Sequence, residues 1–214
     1  HEIGYEHIRK CAAQAGLGSK TGVDMPYERA GSLPDPMWKR RHRNQTWTPG
    51  DTCQTSIGQG MLLATPLQMA NVCAAIANGG RLLKPHLHIE TLRAWDAWSC
   101  SRRSGTPIGW KRENLDLVRR GMQAVVDSGT GKRAAVRGLT VAAKTGTAEF
   151  DVRGKRKKNT WVIAFAPCDR EASIALAIVV ENGDSGGKTA APLAHDVLVS
   201  AFGEAPASGS EVEP

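Results

Sequence analysis

Hydrophobic residues recur along this chain with two different periods, which separate predicted helices from predicted strands. Helical spacing predicts helices over residues 6–15, 66–77, 113–126 and 190–202. The clearest helix start is Thr65-Pro66-Leu67-Gln68, with threonine as N-cap, proline at the first helical position and glutamine completing a capping box. Because residues 66–77 are apolar on most sides, we expect that helix to be buried.

Apolar runs between polar turns predict three consecutive antiparallel strands over residues 140–147, 161–166 and 174–181. A further short strand is predicted over residues 81–85. The run at 174–181 is apolar on both faces, as in a strand with neighbours on either side and helices above and below. Helices flanking an antiparallel sheet place the chain in the mixed α+β class.

The remaining stretches carry few periodic signals. Residues 16–50 are rich in glycine, proline and charge, so we expect little regular structure there. We assign no function to residues 86–110, in which residues 95–109 read as a variable loop. Residues 203–214 form a small acidic stretch that we expect to be a disordered tail, outside a domain over residues 1–202.

A length of 214 residues predicts one domain or part of a larger one. No apolar run reaches the roughly 18 residues that would span a bilayer. Because the first residue is His1 rather than methionine, we expect a truncated piece of a longer protein, with any targeting segment lost upstream.

The net charge of +7 is concentrated in two basic clusters, residues 39–43 and 153–158, which we interpret as solvated loops. Nucleic-acid modules interleave such clusters with base-stacking aromatics, and aromatics make up only 5% of this chain. We therefore do not expect a nucleic-acid partner. The five cysteines show no Cys-x-x-Cys spacing, so we predict no metal site and interpret them as small buried hydrophobes.

Candidate chemistry is concentrated in the stretch Lys144-Thr145-Gly146-Thr147, which follows an apolar run. A glycine in a strand leaves room for a ligand, and a lysine with two hydroxyls can hold a carboxylate, so this stretch predicts an anion-binding strand edge. A second copy, Lys20-Thr21-Gly22, lies in a glycine-rich loop and is interpreted as a turn. The glycines around Gln59 indicate either a loop that approaches a neighbouring site or a tight turn alone.

Several stretches, in order and in spacing, resemble the C-terminal part of the transpeptidase domain of class B penicillin-binding proteins. The resemblance covers residues 1–202 and is stronger for the penicillin-binding protein 2 type, the elongation enzymes, than for the division enzymes. It rests on Gly22-Val23-Asp24-Met25-Pro26-Tyr27-Glu28, Leu33-Pro34 with Trp38-Lys39-Arg40, Pro49-Gly50-Asp51-Thr52, Ser56-Ile57-Gly58-Gln59-Gly60, Thr65-Pro66-Leu67-Gln68-Met69-Ala70, Ala77-Asn78-Gly79-Gly80, Lys144-Thr145-Gly146-Thr147-Ala148 and Ala164-Phe165-Ala166-Pro167.

The resemblance implies a serine D,D-transpeptidase that cross-links peptidoglycan stem peptides ending in D-Ala-D-Ala and is acylated by β-lactams, without a cofactor. Lys144 would supply positive potential and organise proton transfer. Thr145 and Thr147 would bind the terminal carboxylate, Gly146 would leave room for it, and the Thr147 amide would be one of two oxyanion donors. Gln59 would line the cleft. The resemblance further implies a membrane-anchored enzyme with its catalytic domain on the periplasmic side, acting beside a glycan polymerase.

The sequence departs from the family pattern at the nucleophile. It contains no Ser-x-Asn, and its one Ser-x-x-Lys, at Ser185, follows the Lys-Thr-Gly strand instead of preceding it. We therefore expect the N-terminal strands and the nucleophile helix of a partial penicillin-binding/β-lactamase-like fold to be missing, and the isolated chain to be inactive. An unpaired edge on the strand at 174–181 would also make the chain marginally stable or self-associating.

Two alternatives stay open. A serine β-lactamase shares Lys-Thr-Gly, although the long stretch from Gly16 to Gly50 does not resemble one. A non-catalytic basic module could instead bind peptidoglycan or another anionic surface through its charge clusters, and that binding would be strongly salt-dependent.

Overall fold

The computed structural model describes residues 4–87 and 105–203, which form a mixed α+β fold. Its helices and strands, numbered here in chain order, are α1 (Tyr5–Gln14), α2 (Pro36–Arg43), α3 (Pro49–Ser56), α4 (Pro66–Ala77), β1 (Arg81–Leu82), β2 (Thr106–Pro107), α5 (Arg112–Asp127), β3 (Ala142–Val152), β4 (Lys155–Ala166), β5 (Ile174–Glu181) and α6 (Ala191–Phe202). A 3-10 turn at Lys132–Ala134 precedes β3, and a π-helical turn at Gly186–Ala190 leads directly into α6.

The main sheet is antiparallel with strand order β3-β4-β5, as the sequence predicts. Its register places Lys144 opposite Ile163 and Thr160 opposite Val180. The short strand β1 pairs with β2 in a separate two-stranded sheet, and β2 falls within the stretch that was expected to be a loop.

Helices cover both faces of the main sheet. Neighbouring residues of a strand point to opposite faces, so β3 and β4 contribute side chains to two separate core clusters. Ala142 and Phe165 belong to a core cluster that contains residues of α4 and α5. Ala143 and Ala164, one position along each strand, belong to a second cluster that contains residues of α6. The antiparallel sheet flanked by helices confirms the predicted fold class.

The expectation of little regular structure over residues 16–50 is wrong, because α2 lies within this stretch and α3 begins there. Asp35 caps α2 by accepting from the Trp38 amide, and Pro36 occupies its first turn. Thr48 and Asp51 form a capping box at the start of α3, with Pro49 as its first residue. Proline next to a capping side chain starts a helix as readily as it forms a turn, so proline and glycine content alone did not reveal these two helix starts.

The expectation that both basic clusters lie in loops is also wrong, although residues 40–43 and 153–158 are exposed, as expected. The first cluster lies in α2, where Lys39 is only 7% exposed and its Nζ lies 2.7 Å from an Asp51 carboxylate oxygen. The second runs along β4, because the turn between β3 and β4 consists of only two residues, Arg153 and Gly154. Their φ values of 51° and 73° fit a type I′ turn, whose twist matches long paired strands.

The cysteines divide between core and surface. Cys73 is fully buried, and burial raises the pKa of its thiol to about 12. Cys11 and Cys53 are exposed, so their interpretation as buried hydrophobes is wrong: they lie on the solvent side of α1 and α3. Cys100 and the expected tail from residue 204 onward lie outside the described residues.

Among residues 4–87 and 105–203, no helix combines the length and the apolar character that a membrane crossing requires.

Candidate functional site

A cleft of about 630 Å³ opens along β3 and gathers residues that are far apart in the sequence. The turn after α3, the turns between α5 and β3, the strand β3 itself and the turn before α6 all contribute. The lining residues are Ile57, Thr130, Lys132, Arg133, Lys144, Thr145, Gly146, Thr147, Ser185, Gly186, Gly187 and Lys188. Four of the five predicted site residues, Lys144 to Thr147, therefore share one cleft.

The cleft is strongly cationic. Lys132, Arg133, Lys144 and Lys188 line it, and no carboxylate side chain is among its described lining residues. Lys188 lies 3.0 Å from Asp184, and its hydrogen bond lowers the pKa of that carboxyl group. Because one carboxylate at the rim faces four cationic side chains, the potential in the cleft favours an anionic ligand.

The alternation of strand residues assigns the side chains of β3 to two sides. Lys144 and Gly146 lie on one face, while Thr145 and Thr147 lie on the other. The ammonium group of Lys144 donates to the Thr145 carbonyl. The Thr145 side chain is buried, and its hydroxyl shares a 2.6 Å hydrogen bond with the hydroxyl of Thr130.

Gly146 keeps one face of the strand open. A Cβ built there would come no nearer than 3.6 Å to another atom, the Cβ of Trp161, so the protein's own packing does not require glycine. Because Gly146 has no side chain, there is space for a ligand beside Lys144. Gly186, by contrast, has no room for a side chain. A Cβ there would lie 2.7 Å from the Gly146 carbonyl oxygen and 2.6 Å from the Trp161 carbonyl oxygen.

Gln59 reaches β3 but is not among the residues that line the cleft. Its Nε2 donates to the Thr147 carbonyl at 2.9 Å, and its Oε1 accepts from the Glu149 amide at 3.3 Å. The loop around Gln59 therefore approaches the site, in agreement with the first of the two readings of its glycines. Its neighbour Ile57, 74% exposed, lies at the rim of the cleft.

Sequence reasoning missed several lining residues, above all Thr130, Lys132 and Arg133. The glycine-flanked Thr130 lies just beyond the predicted helix over residues 113–126, and no role was predicted for it. The one sequence signal for Thr130 is that a hydroxyl lies in a short turn before the Lys-Thr-Gly strand. Its contact with Thr145 is visible only in the folded structure. Lys132 and Arg133 enter the cleft through the 3-10 turn, which has no apolar periodicity to mark it.

The two remaining motif matches have structural roles. Ser185 lies in the cleft lining, but its hydroxyl accepts from the Lys188 amide at 3.3 Å and caps the turn before α6. The second copy of Lys-Thr-Gly lies in a loop, as predicted, where the hydroxyl and amide of Thr21 donate to Glu28. These hydrogen bonds lower the pKa of the Glu28 carboxyl group. Within the part of the chain that the structure describes, no three acidic, histidine or cysteine side chains cluster as metal ligands would.

Comparison with known proteins identifies the family. The family described as penicillin binding protein transpeptidase domain matches residues 1–199. Among curated relatives, the peptidoglycan D,D-transpeptidase MrdA of Acinetobacter baumannii is 35% identical over 212 residues, which cover 92% of this chain and 31% of that protein. MrdA of Salmonella typhimurium is 33% identical, again over 92% of this chain and 34% of the relative.

Solved structures agree with the sequence relatives. Pseudomonas aeruginosa PBP2 in complex with WCK 5153 superposes with a TM-score of 0.79 at 32% identity, covering 99% of this chain and 46% of that one. Helicobacter pylori PBP2 in its complex with MreC gives a TM-score of 0.78 at 33% identity, covering 94% and 36%.

The chain spans about a third of the length of the curated relatives it matches. The predicted likeness to class B transpeptidase domains, and to penicillin-binding protein 2 among them, is confirmed. The cationic cleft along a Lys-Thr-Gly strand, the match over residues 1–199 and the neighbouring PBP2 structures lead to one conclusion: this chain belongs to the penicillin-binding protein transpeptidase domain family.

Proposed function

We propose that this chain is the substrate-binding, C-terminal part of a peptidoglycan D,D-transpeptidase of the penicillin-binding protein 2 type. The whole enzyme would cross-link stem peptides through a serine acyl-enzyme and would be acylated by β-lactams. The observation that carries the proposal is the position of residues 144–147 along one strand edge inside a cationic cleft.

The roles of the strand residues follow from their chemistry. A stem peptide ends in a carboxylate, and Lys144 with the hydroxyls of Thr145 and Thr147 offers a cation and two donors for it. Gly146 leaves the space that the peptide needs. The backbone amide of Thr147 would donate to the oxyanion that forms when the D-Ala-D-Ala carbonyl is attacked. These residues would bind the substrate and stabilise charge.

The acyl-transfer step also requires a nucleophile. We propose that a serine outside these 214 residues attacks the carbonyl, releases the terminal D-alanine and passes the acyl group to the amine of a neighbouring stem peptide. The chain contains no Ser-x-Asn, and Ser185 is engaged as a cap. The isolated chain would therefore bind ligand without completing acyl transfer.

Partners and location are part of the same proposal. Peptidoglycan synthesis takes place at the outer side of the cytoplasmic membrane, so the whole enzyme would be anchored there and act beside a glycan polymerase. The Helicobacter pylori PBP2 structure was solved as a complex with MreC, which makes a similar partner a candidate for this protein.

The proposal is tested by titrating the chain with Nα-acetyl-D-alanyl-D-alanine and following the backbone amides by NMR. We expect shifts at residues 144–147. The Lys144→Ala variant should lose roughly 10-fold or more in affinity, because a charge-assisted hydrogen bond contributes about 1.5–3 kcal/mol. Lys157→Ala, which removes an exposed lysine of β4 outside the cleft lining, is the matched control and should bind normally.

A second ligand with its C-terminus blocked as an amide separates this proposal from non-specific attraction. It should bind much more weakly than the free acid. If instead both ligands bind alike, Lys144→Ala has no effect, and binding of peptidoglycan falls steeply with salt, the chain is a basic binding module and not a substrate site.

The β-lactamase alternative differs in the fate of the acyl-enzyme. A transpeptidase keeps the bound β-lactam for long periods, whereas a β-lactamase hydrolyses it. Rapid turnover of a chromogenic cephalosporin by the complete protein would therefore favour the β-lactamase reading.

A further inference from the structure

The side chain of Gln59 pairs with the outer edge of β3 as a neighbouring strand would. Its nitrogen faces the Thr147 carbonyl at 2.9 Å, and its oxygen faces the Glu149 amide at 3.3 Å. A donor opposite a carbonyl and an acceptor opposite an N–H fix the orientation of the side-chain amide. Gln59 thus holds hydrogen-bonding groups of β3 that point away from β4.

These main-chain groups are the ones that an extended peptide would use. In an antiparallel pair, two opposed residues exchange both N–H···O bonds, so the N–H and the carbonyl of one residue face the same partner. A peptide whose scissile carbonyl accepts from the Thr147 amide would therefore direct the N–H of the same residue at the Thr147 carbonyl. Main-chain pairing of this kind is how extended peptides bind exposed strand edges.

We propose that Gln59 is an internal competitor for the peptide: its side-chain amide occupies the Thr147 carbonyl and has to turn away, or share that oxygen, when the penultimate residue of the stem peptide pairs with β3. The inference rests on the proposed function and assigns to Gln59 a role in setting affinity for ligands that carry this N–H. It replaces the expectation that Gln59 simply lines the cleft.

The local structure holds Gln59 in position for this role. Gly58 and Gly60 on either side have φ values of +76°, which direct the chain back toward β3. The Gln59 amide donates to the Gln54 carbonyl at the end of α3 at 2.9 Å. The backbone of the turn is thus fixed, whereas the contact to Thr147 belongs to a side chain that a rotamer change releases.

The test compares two ligands on the 214-residue chain by NMR titration. The first is Nα-acetyl-D-alanyl-D-alanine, and the second is the same molecule methylated on the acetylated nitrogen, so that it cannot donate to the Thr147 carbonyl. Gln59→Ala should bind the first ligand roughly 3- to 10-fold more tightly than the unchanged chain, the range expected for one released hydrogen bond. The methylated ligand should bind both proteins alike.

Gln54→Ala is the matched control. It shortens a glutamine in the same region that makes no hydrogen bond to β3 among the described contacts, and it should leave the affinity ratio of the two ligands unchanged. Amide exchange should speed up at Glu149 in Gln59→Ala and stay unchanged at the β3 and β4 amides that pair with each other, which shows that the variant is folded and has lost only the intended contact.

The outcomes separate the two proposals. An equal change for both ligands, or no change for either, overturns the role of Gln59 and leaves the substrate site in place. Failure of the unchanged chain to bind the first ligand through Lys144 overturns both.

Discussion

At the scale of single residues, the orientation of the Thr145 hydroxyl determines whether it can donate to a ligand in the cleft. It is buried and lies 2.6 Å from the hydroxyl of Thr130, in a turn that the apolar pattern does not mark. Either hydroxyl could donate in this pair. When Thr130 donates, the hydrogen of Thr145 is left for a ligand, and in that arrangement Thr130 positions the donor that we propose for the ligand carboxylate.

Thr130→Val should therefore weaken the binding of Nα-acetyl-D-alanyl-D-alanine. We expect a loss of about 1 kcal/mol, roughly 5-fold in affinity, because valine keeps the shape of threonine and removes the hydroxyl. Thr130→Ser keeps the hydroxyl and should bind nearly as the unchanged chain does. Equal losses in both variants, measured by the same NMR titration, would show that the methyl packing matters and the hydrogen bond does not.

Gly186 shows how closely the turn before α6 approaches the site. Gly186→Ala should lower the free energy of unfolding by about 2 kcal/mol, since its Cβ would meet backbone atoms 2.6 and 2.7 Å away that cannot easily shift. Gly121→Ala on α5 is the control: nothing lies within 4 Å of its Cβ, and alanine favours helix. Urea denaturation should show opposite signs for the two variants, and a neutral Gly186→Ala would contradict the close approach.

The residues of the strand motif were predictable from sequence, but their partners were not. Lys144 to Thr147 carry a recognisable combination of charge, hydroxyls and glycine. Thr130, Lys132 and Arg133 belong to no such combination, and only the path of the chain between α5 and β3 brings them to the cleft.

At the scale of elements, α2 and α3 are joined by one buried ion pair. Lys39 and Asp51 meet at 2.7 Å with side chains only 9% and 14% exposed. Burial by itself would raise the pKa of Asp51, but hydrogen bonds from Lys39 and Thr48 outweigh it, and the net pKa lies below the ordinary value of 3.8. The carboxylate form is therefore the one that the fold stabilises.

Because the pKa of Asp51 is lowered in the folded chain, the free energy of unfolding should decrease as the pH becomes acidic. The contribution of Asp51 is fully present above the pKa of the unfolded chain and is lost as the pH falls below about 4 through the lower folded value. Asp51→Asn should cost about 3 kcal/mol at neutral pH, because Lys39 stays buried without its counter-charge. Urea denaturation at pH 7 and pH 3 checks this: the gap between the two proteins should narrow at pH 3, and a constant gap would contradict it.

Elements were predictable where a start signal and an apolar period coincide. The predicted helix at residues 66–77 has the observed bounds because its capping box precedes an apolar run. The start signals of α2 and α3 precede short polar helices, in which periodicity gives no support. The hairpin extends beyond the prediction because its outer residues are charged and its stability comes from strand pairing and a tight turn.

At the scale of the whole molecule, β5 is an edge strand in the part of the chain that the structure describes. The sheet order is β3-β4-β5, and β5 is half-buried along residues 174–180. An apolar strand with one unpaired edge can pair with the same strand of another molecule.

We therefore expect the 214-residue chain to self-associate as its concentration rises. Ala177→Lys places a charge in the middle of β5 and should shift the chain toward the monomer, because a charged edge resists strand addition. Sedimentation velocity at several concentrations measures both effects. A stable, monodisperse monomer of the unchanged chain with a sharp, reversible melt would contradict the expectation.

The cleft is a property of the whole fold. Its lining comes from residues 57, 130, 132, 133, 144–147 and 185–188, which are far apart in the sequence and meet along β3. Sequence alone therefore identified the strand that carries Lys-Thr-Gly and, through the resemblance, the protein family. The cationic walls, the Thr130–Thr145 pair and the contact of Gln59 with the strand edge depend on tertiary packing.

Labelling of the complete native protein with a fluorescent penicillin, followed by mass-spectrometric mapping, tests whether Lys144 serves a penicillin-binding site. We predict one covalently labelled serine outside these 214 residues, with labelling strongly reduced by Lys144→Ala. The isolated chain should stay unlabelled. Labelling of Ser185, or a complete protein that binds no penicillin and does not depend on Lys144, would contradict the account.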